Sequence, residues 1–329
     1  MTTSPLRIGT LGAAKIAPPA IVKPAAALAD AELVAVAARD RSRAEKFARR
    51  HGVPRVHASY EALIADPDID AVYNPLPNSL HKEWTLRALD AGKHVLCEKP
   101  LTSNAEEAEE LAAAAQRTGL VLMEAFHWRY HPLAERMKAI VDSGELGTVR
   151  HLEAWMCIPL PFFRDIRYQW SLAGGATMDL GCYCIDELRF LAGDEPEVTS
   201  AKARVRDPQI DRWMEADFRW ADGRTGRMTC ALWSSTPLRI NLRVQGDNGE
   251  LKVLNPSRPH SFHRISVRTR EGRRRERAEG DPTYTGQLRS FVAAVRDGAP
   301  VPSGPDNAIA NMRVIDAVYR AAGLKPRAT

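Results

Sequence analysis

The chain has 329 residues, enough for two domains with separate cores, and its 44% hydrophobic and 26% charged residues exclude a disordered or fibrous protein. The net charge of +5 comes from 46 basic residues interleaved with 41 acidic ones, so we expect no nucleic-acid partner. No apolar stretch approaches the length of about 18 residues that a membrane span needs, so we expect no membrane partner either.

The cysteines are five in number and include no CxxC pair, which predicts neither a disulfide framework nor a metal site. Reduced, mostly buried thiols are typical of a cytoplasmic protein, and the first residues lack the apolar core of a signal peptide. We therefore expect a cytoplasmic location and no bound metal.

Short apolar runs alternate with amphipathic ones from Leu6 to Glu124, which is the pattern of a parallel sheet with crossover helices. Six such runs predict a doubly wound α/β domain, a Rossmann fold, over residues 1–125. The predicted strands are Leu6–Leu11, Leu33–Ala38, Arg55–His57, Ile69–Tyr73, His94–Cys97 and Leu120–Met123.

Longer and more polar runs follow residue 125, separated by turn sequences such as Ala221–Gly223 that are typical of antiparallel hairpins. We expect residues 126–329 to form an α+β domain with a large, mostly antiparallel open sheet and a closing helix at about 306–322. The arginine-rich run 273–277 indicates a loop or an exposed strand. A sheet with one covered face must hide or pair the other, so we expect a homodimer or homotetramer through it.

The segment after the first predicted strand resembles the dinucleotide-binding pattern GxGxxG, with Gly12, Ala14 and Ala17 at its three positions. Alone this match is weak, but it stands at the front of a six-strand alternation, which is the context the pattern requires. We expect Gly12, Ala14, Lys15 and Ile16 to contact the pyrophosphate of a nicotinamide dinucleotide.

Arg39 follows the second predicted strand, at the position that faces the adenine ribose in this fold. An acid there hydrogen-bonds the 2′-hydroxyl of NAD, whereas an arginine binds the 2′-phosphate of NADP through charge-assisted hydrogen bonds. We expect NADP as the cofactor, and the neighbouring Asp40 keeps NAD as the alternative.

Lys99 stands at the end of the fifth predicted strand, between Glu98 and Pro100. Proline fixes its own φ and disfavours helix at the residue before it, so Lys99 does not start a helix. Ligands of open α/β sheets bind at the carboxyl ends of the strands, which places this ammonium where chemistry is usually done.

Four segments together make the chain similar to the Gfo/Idh/MocA family of oxidoreductases. They are the turn at Gly12, Pro75–His81, Glu98–Pro100 and Gly174–Tyr183, and they span both predicted domains in order. Many members carry histidine where this chain has Tyr183, and the tyrosine resembles the branch of dihydrodiol dehydrogenases, NADP-dependent D-xylose dehydrogenases and sugar ketoreductases.

The resemblance implies direct hydride transfer, a cis peptide bond between Lys99 and Pro100, and further site residues. It implies cofactor contacts at Pro75, Leu76, Asn78, His81, Glu98, Lys99 and Arg129, and it places Trp128 and Tyr130 near the substrate. A surface helix position is the alternative for His81. Packing between domains is the alternative for 128–130.

Tyr183 lies four residues after Asp179, so both side chains share one helix face if the Gly174–Gly175 pair precedes a helix. A phenol of ordinary pKa, about 10, is a poor base at neutral pH unless a cation stabilises its phenolate. We expect Lys99 to supply that cation, Tyr183 to transfer the substrate's hydroxyl proton and Asp179 to orient the substrate.

The segment Pro161–Trp170 combines aromatic and guanidinium groups, which suit the ring faces and hydroxyl rims of sugars. We expect Arg164, Arg167 and Trp170, with Lys99, Asp179 and Tyr183, to bind a small-molecule sugar or diol. The function predicted is an NADP-dependent oxidoreductase of a sugar or trans-dihydrodiol CH–OH group. The alternatives are a non-catalytic cofactor-sensing regulator and an NAD-dependent glycoside hydrolase on the same fold.

Overall fold

The computed structural model describes residues 4–207, 209–236 and 238–327, which form two compact units. The helices are α1 Lys23–Ala27, α2 Arg41–His51, α3 Tyr60–Ile64, α4 His81–Asp90, α5 Ala105–Thr118, α6 Pro132–Asp142, α7 Cys182–Ala192, α8 Thr283–Asp297 and α9 Pro305–Ala321. The strands are β1 Leu6–Leu11, β2 Ala31–Ala37, β3 Arg55–His57, β4 Ala71–Asn74, β5 His94–Cys97, β6 Leu122–Glu124, β7 Val149–Cys157, β8 Glu197–Asp207, β9 Ile210–Arg219, β10 Thr225–Ala231, β11 Arg239–Gly246, β12 Gly249–Leu254, β13 Arg264–Thr269 and β14 Gly272–Glu276.

The first unit contains a six-stranded sheet in the order β3-β2-β1-β4-β5-β6, and all of its pairings are parallel. Successive residues of its strands enter two different hydrophobic clusters: Tyr73 belongs to one and Val72 to the other. This alternation shows that both faces of the sheet are covered, as a doubly wound fold requires. The predicted fold class is confirmed.

The strand order reverses between β1 and β4. Because all six strands are parallel, the segments that follow them emerge at one edge of the sheet. Gly12, Arg39, Pro75 and Lys99 follow β1, β2, β4 and β5, so the first unit gathers these predicted site residues at a single carboxyl edge.

The second unit is built on an eight-stranded sheet in the order β14-β13-β12-β11-β7-β10-β9-β8. All its pairings are antiparallel except that of β10 with β7. The inner face is apolar, as Leu152, Ala154 and Met156 of β7 show, and α7 is buried along most of its length. The run 273–277 largely forms β14, an exposed edge strand, as one of its two interpretations predicted.

The division of the chain differs from the predicted boundary at residues 125 and 126. The first unit extends to Tyr130 and also takes in Tyr284–Ile309, whereas the second takes in Ser103–Ala105. The later segment belongs to the first unit because of α8, a helix that the sequence pattern did not predict. Its residues Tyr284, Leu288 and Phe291 pack into the core cluster of β1, so the chain returns to the first unit.

No helix in the described ranges is long and apolar enough to span a lipid bilayer.

Candidate active site

The turn after β1 has the backbone geometry that the dinucleotide pattern requires. Gly12 has φ +94°, and its N–H donates to the carbonyl of Ala37 at 2.6 Å. A Cβ at Gly12 would approach Leu76 Cδ2 to 3.3 Å, so glycine serves both the left-handed φ and the close packing. Lys15 is exposed in the loop that follows, with Ala14 and Ile16 half-buried. A five-residue π-helix, Pro18–Val22, then precedes α1.

Arg39 and Asp40, which follow β2, differ in what their side chains contact. Asp40 caps α2: its Oδ1 accepts hydrogen bonds from the Ser42 N–H at 2.9 Å and the Ser42 hydroxyl at 2.7 Å, which lower the pKa of this carboxyl. Arg39 is exposed, and Arg43 Nη2 lies 3.4 Å from the carbonyl oxygen of Ala13 in the glycine turn. These residues fit a cofactor with a 2′-phosphate, because guanidinium groups flank the turn while the acid is engaged by its own helix.

His81 is fully buried, so its interpretation as a surface helix residue is wrong. Its Nδ1 lies 2.9 Å from the carbonyl of Pro100 and its Nε2 2.7 Å from the carbonyl of Leu76. Burial lowers the pKa of this imidazole. The ring therefore ties the loop after β4 to the loop after β5, and both nitrogens face backbone rather than an open cleft.

Pro75 and Leu76 are buried in the loop after β4, and Asn78 opens the short 3₁₀ turn Asn78–Leu80. The Leu76 N–H donates to Asn74 Oδ1 at 3.3 Å, which fixes the start of this loop. Pro75, Leu76 and Asn78 therefore lie on one loop whose start is fixed by this hydrogen bond.

Glu98 and Lys99 occupy the carboxyl end of β5. The Tyr73 hydroxyl donates to Glu98 Oε1 at 2.6 Å, so a residue of β4 orients this carboxylate, and burial raises the pKa of Tyr73. Lys99 is half-buried, and its peptide bond to Pro100 is cis, as the resemblance implies. The partner Tyr73 was missed from sequence, because nothing in the pattern pairs it with a residue 25 positions later.

The segment 127–130 after β6 is held by the returning chain within the first unit. Arg129 Nη2 donates to Asn307 Oδ1 at 3.0 Å, and the Tyr130 hydroxyl lies 2.6 Å from Ser303 Oγ. Trp128 is 1% exposed. These positions are structural, and contacts of the three residues with cofactor or substrate stay predictions.

The Gly174–Gly175 pair does precede a helix, as expected. A π-helical segment, Thr177–Gly181, contains Asp179 and continues into α7, whose second residue is Tyr183. Arg167 Nε donates to Asp179 Oδ2 at 2.7 Å and Nη1 to Asp165 Oδ1 at 3.1 Å, and these carboxylates raise the pKa of Arg167. Two residues predicted separately to bind substrate therefore form one ion pair, while the Tyr183 side chain is 6% exposed.

The segment 161–170 carries an aromatic cluster with exposed and buried members, since Phe163 is exposed and Tyr168 is buried. The ring of Phe163 lies 5.4 Å from Tyr168 and 6.2 Å from Trp233 between centroids, and the Arg206 guanidinium lies 3.9 Å from the Phe163 centroid. Arg164 is exposed and Trp170 half-buried in the same segment. Trp233 and Arg206 were not predicted, because both are distant from this segment in sequence: Trp233 follows β10 and Arg206 lies in β8. The described residues contain no group of three or more metal-ligating side chains.

Two family models match most of this chain. Residues 6–126 match the model of the oxidoreductase family with an NAD-binding Rossmann fold, and residues 134–252 match the C-terminal domain of Gfo/Idh/MocA proteins. A D-xylose 1-dehydrogenase (NADP(+)) of Haloferax volcanii is 36% identical, over 96% of this chain and 97% of its own. A trans-1,2-dihydrobenzene-1,2-diol dehydrogenase of Bos taurus is 36% identical over 68% of this chain and 67% of its own.

The fold recurs in a solved relative. The crystal structure of KijD10, a 3-ketoreductase from Actinomadura kijaniata in complex with NADP and TDP-benzene, superposes with a TM-score of 0.90 at 31% identity, covering 96% of this chain and 98% of that one. Both halves of the chain match the family's two domains, in order and over nearly the whole length. The chain therefore belongs to the Gfo/Idh/MocA family of oxidoreductases.

Proposed function

We propose that this protein is an NADP-dependent oxidoreductase that interconverts a CH–OH group and a carbonyl on a sugar or trans-dihydrodiol. The observation that carries the proposal is the end of β5, where Tyr73 fixes Glu98 and His81 holds Pro100 on either side of Lys99. An ammonium so placed at the carboxyl edge of a dinucleotide-binding sheet suits polarisation of a substrate oxygen.

The reaction divides between the cofactor and the side chains of this chain. The residues after β1 and β2 would hold NADP, which would supply the hydride acceptor for oxidation or the hydride donor for reduction. Tyr183 removes the hydroxyl proton during oxidation and donates it to the carbonyl oxygen during reduction. Lys99 stabilises the phenolate that Tyr183 needs as a base, and Asp179, held by Arg167, orients the substrate.

The preference for NADP is supported by the local chemistry at β2 and by the relatives. Asp40, the residue that would favour NAD, is engaged in capping α2, and Arg39 and Arg43 are the cations beside the turn. The Haloferax relative is named for NADP(+), and KijD10 was crystallised with NADP.

The substrate class is supported by a D-xylose dehydrogenase, a dihydrodiol dehydrogenase and a ketoreductase among the relatives. The experiment is a screen that follows NADPH absorbance with aldoses, trans-dihydrodiols and keto sugars, in both directions. Turnover of one class with NADP or NADPH is the expected result. Tight cofactor binding without turnover on any of them would contradict the proposal and favour a sensing protein.

We also propose a homodimer or homotetramer through the outer face of the eight-stranded sheet, and a cytoplasmic location. All five cysteines are buried free thiols, which suits a reducing compartment.

The outer face carries Trp155 and Trp213, each with an arginine guanidinium over its ring, at 3.7 Å from Arg239 and 5.1 Å from Arg204. Aromatic residues and arginine are enriched at subunit interfaces.

A further inference from the structure

We propose that Arg327 and Asp211 form a positioning pair that sets the glycine segment carrying Asp179 and Tyr183, so that residues far away in sequence determine the geometry of the substrate site. The inference rests on the proposed function of those two residues. Arg327 follows the last helix and Asp211 lies in β9, and neither side chain belongs to the proposed proton-transfer group.

Asp211 is fully buried and accepts four hydrogen bonds. Its Oδ2 accepts from the N–H and the hydroxyl of Thr177, both at 2.7 Å, at the start of the helical segment that contains Asp179. Its Oδ1 accepts from Arg327 Nη2 at 2.7 Å and from the Tyr319 hydroxyl at 3.0 Å. Asp211 therefore caps the helical segment from a neighbouring strand and anchors its first turn.

Arg327, the other member of the ion pair, also binds the glycine segment. Both side chains of the pair are 0% exposed. Nε of Arg327 donates to the carbonyl of Gly174 at 2.7 Å, and the guanidinium lies 4.1 Å from the Tyr319 ring and 4.8 Å from the Trp170 ring. One guanidinium thus holds the glycine pair and a predicted substrate residue together.

The pair explains why a glycine stands at position 175, and the backbone of Arg167 explains the glycine before it. Gly175 has φ +135°, and a Cβ there would lie 2.6 Å from Arg327 Nη2 and 2.8 Å from the Tyr319 hydroxyl, besides meeting the Asp211 carboxylate. A Cβ on Gly174 would lie 2.6 Å from the carbonyl oxygen of Arg167. The backbone at Gly175 packs directly against the side chains of Arg327 and Asp211. A displacement of either side chain would therefore move the glycine segment.

That segment leads directly to the proposed reactive groups. The Gly175 N–H donates to the Arg167 carbonyl at 2.8 Å, and the Asp179 N–H donates to the Gly175 carbonyl at 3.1 Å. Arg167 in turn pairs with Asp179, and Tyr183 stands one turn further on. A displacement at Gly175 therefore reaches both Asp179 and its partner.

The test compares the full wild-type chain with three variants, and exchange and turnover are measured in the presence of NADP. Arg327→Ala removes the guanidinium, and Arg327→Lys keeps a charge without the fork or the stacking. Arg320→Ala is the matched control, because Arg320 is exposed and lies 3.9 Å from Asp316 on the same final helix. Amide hydrogen exchange over residues 170–183, the Kd for NADP and the steady-state constants are measured for each.

In both Arg327 variants we expect exchange over 170–183 to accelerate at least about 10-fold and kcat to fall about 10-fold to 100-fold, with the Kd for NADP within about 2-fold of wild type. Methylguanidinium should restore part of the activity of Arg327→Ala, and Arg320→Ala should match wild type. If Arg327→Ala does not fold, the exchange rates and kcat of Arg327→Lys test the proposal.

Wild-type exchange and kcat in Arg327→Lys would overturn the proposal, as would equal acceleration of exchange throughout both units. A wild type without turnover would instead count against the proposed function. In that case the exchange data still decide whether Arg327 holds the segment, so the two failures are distinguishable.

Discussion

The proposed chemistry depends on side chains that are oriented by others. Glu98 beside Lys99 is bound by Tyr73, and His81 bridges the carbonyls of Leu76 and Pro100. Sequence pattern predicted Glu98, Lys99 and His81 as site residues, because short motifs carry them, and their roles in the site stay predictions. It could not identify Tyr73 as a partner, because hydrogen bonds between strands depend on register and rotamer, which no local pattern encodes.

Cofactor choice is tested at Arg39. Replacement by alanine removes a charge-assisted contact worth about 1.5 to 3 kcal/mol, so KM for NADP should rise about 10-fold to 100-fold while KM for NAD stays unchanged. Arg41→Ala is the control, because Arg41 pairs with Glu45 at 3.0 Å. Equal effects of Arg39→Ala on both cofactors would remove Arg39 from 2′-phosphate recognition.

At the scale of elements, most strands of the first unit were predictable, since buried parallel strands are continuous apolar runs bounded by turns. Helix α8 was not predicted, although Tyr284, Leu288 and Phe291 have helical spacing. These residues pack in the same core as β1, which lies nearly 300 positions earlier in the sequence. The π-helical segments at Pro18–Val22 and Thr177–Gly181 had no sequence signal, because propensities do not separate π from α geometry.

Helix α6 makes the stability of the protein depend on pH. His131 caps it by accepting the Leu133 N–H at Nδ1, 3.0 Å away, and burial, followed by the nearby His263 and His260, lowers the pKa of His131 to about 4. The folded protein therefore keeps this ring neutral between about pH 6.5 and 4, whereas the unfolded chain takes up a proton. Stability should fall as the pH drops through that window.

His131→Asn tests this dependence, because asparagine is a good cap that does not titrate. Urea unfolding of wild type should lose about 2 to 3 kcal/mol more than the variant between pH 7 and 4.5. Identical losses in the two proteins would show that His131 does not contribute.

For the whole molecule, the two predicted sheets are confirmed, and the two compact units divide the chain differently from the predicted boundary because the chain crosses between them more than once. The outer face of the eight-stranded sheet carries ion pairs beside its tryptophans. Glu250 is paired with Arg243 and with Lys252 at 2.8 Å, and Arg243 lies 3.5 Å from Glu153. A face with such ion pairs tolerates water, so burial is not obligatory and the assembly stays a prediction.

Assembly is tested by light scattering of the purified protein. One chain has a mass of 36.4 kDa, and we expect twice or four times that mass for wild type. Trp155→Asp removes an aromatic side chain from the proposed interface, introduces a carboxylate that association would desolvate, and should reduce the mass to that of one chain. A wild-type mass of 36.4 kDa would exclude the proposed interface.

In the proposed reaction Tyr183 transfers the proton that accompanies hydride transfer, and Lys99 stabilises its phenolate. The most direct measurement is single-turnover NADP reduction with the substrate found in the screen, for wild type, Tyr183→Phe and Lys99→Met. Tyr183→Phe should bind NADP within about 2-fold of wild type, and both variants should lose about 10²-fold to 10⁴-fold in rate. Turnover of Tyr183→Phe close to that of wild type would contradict the account.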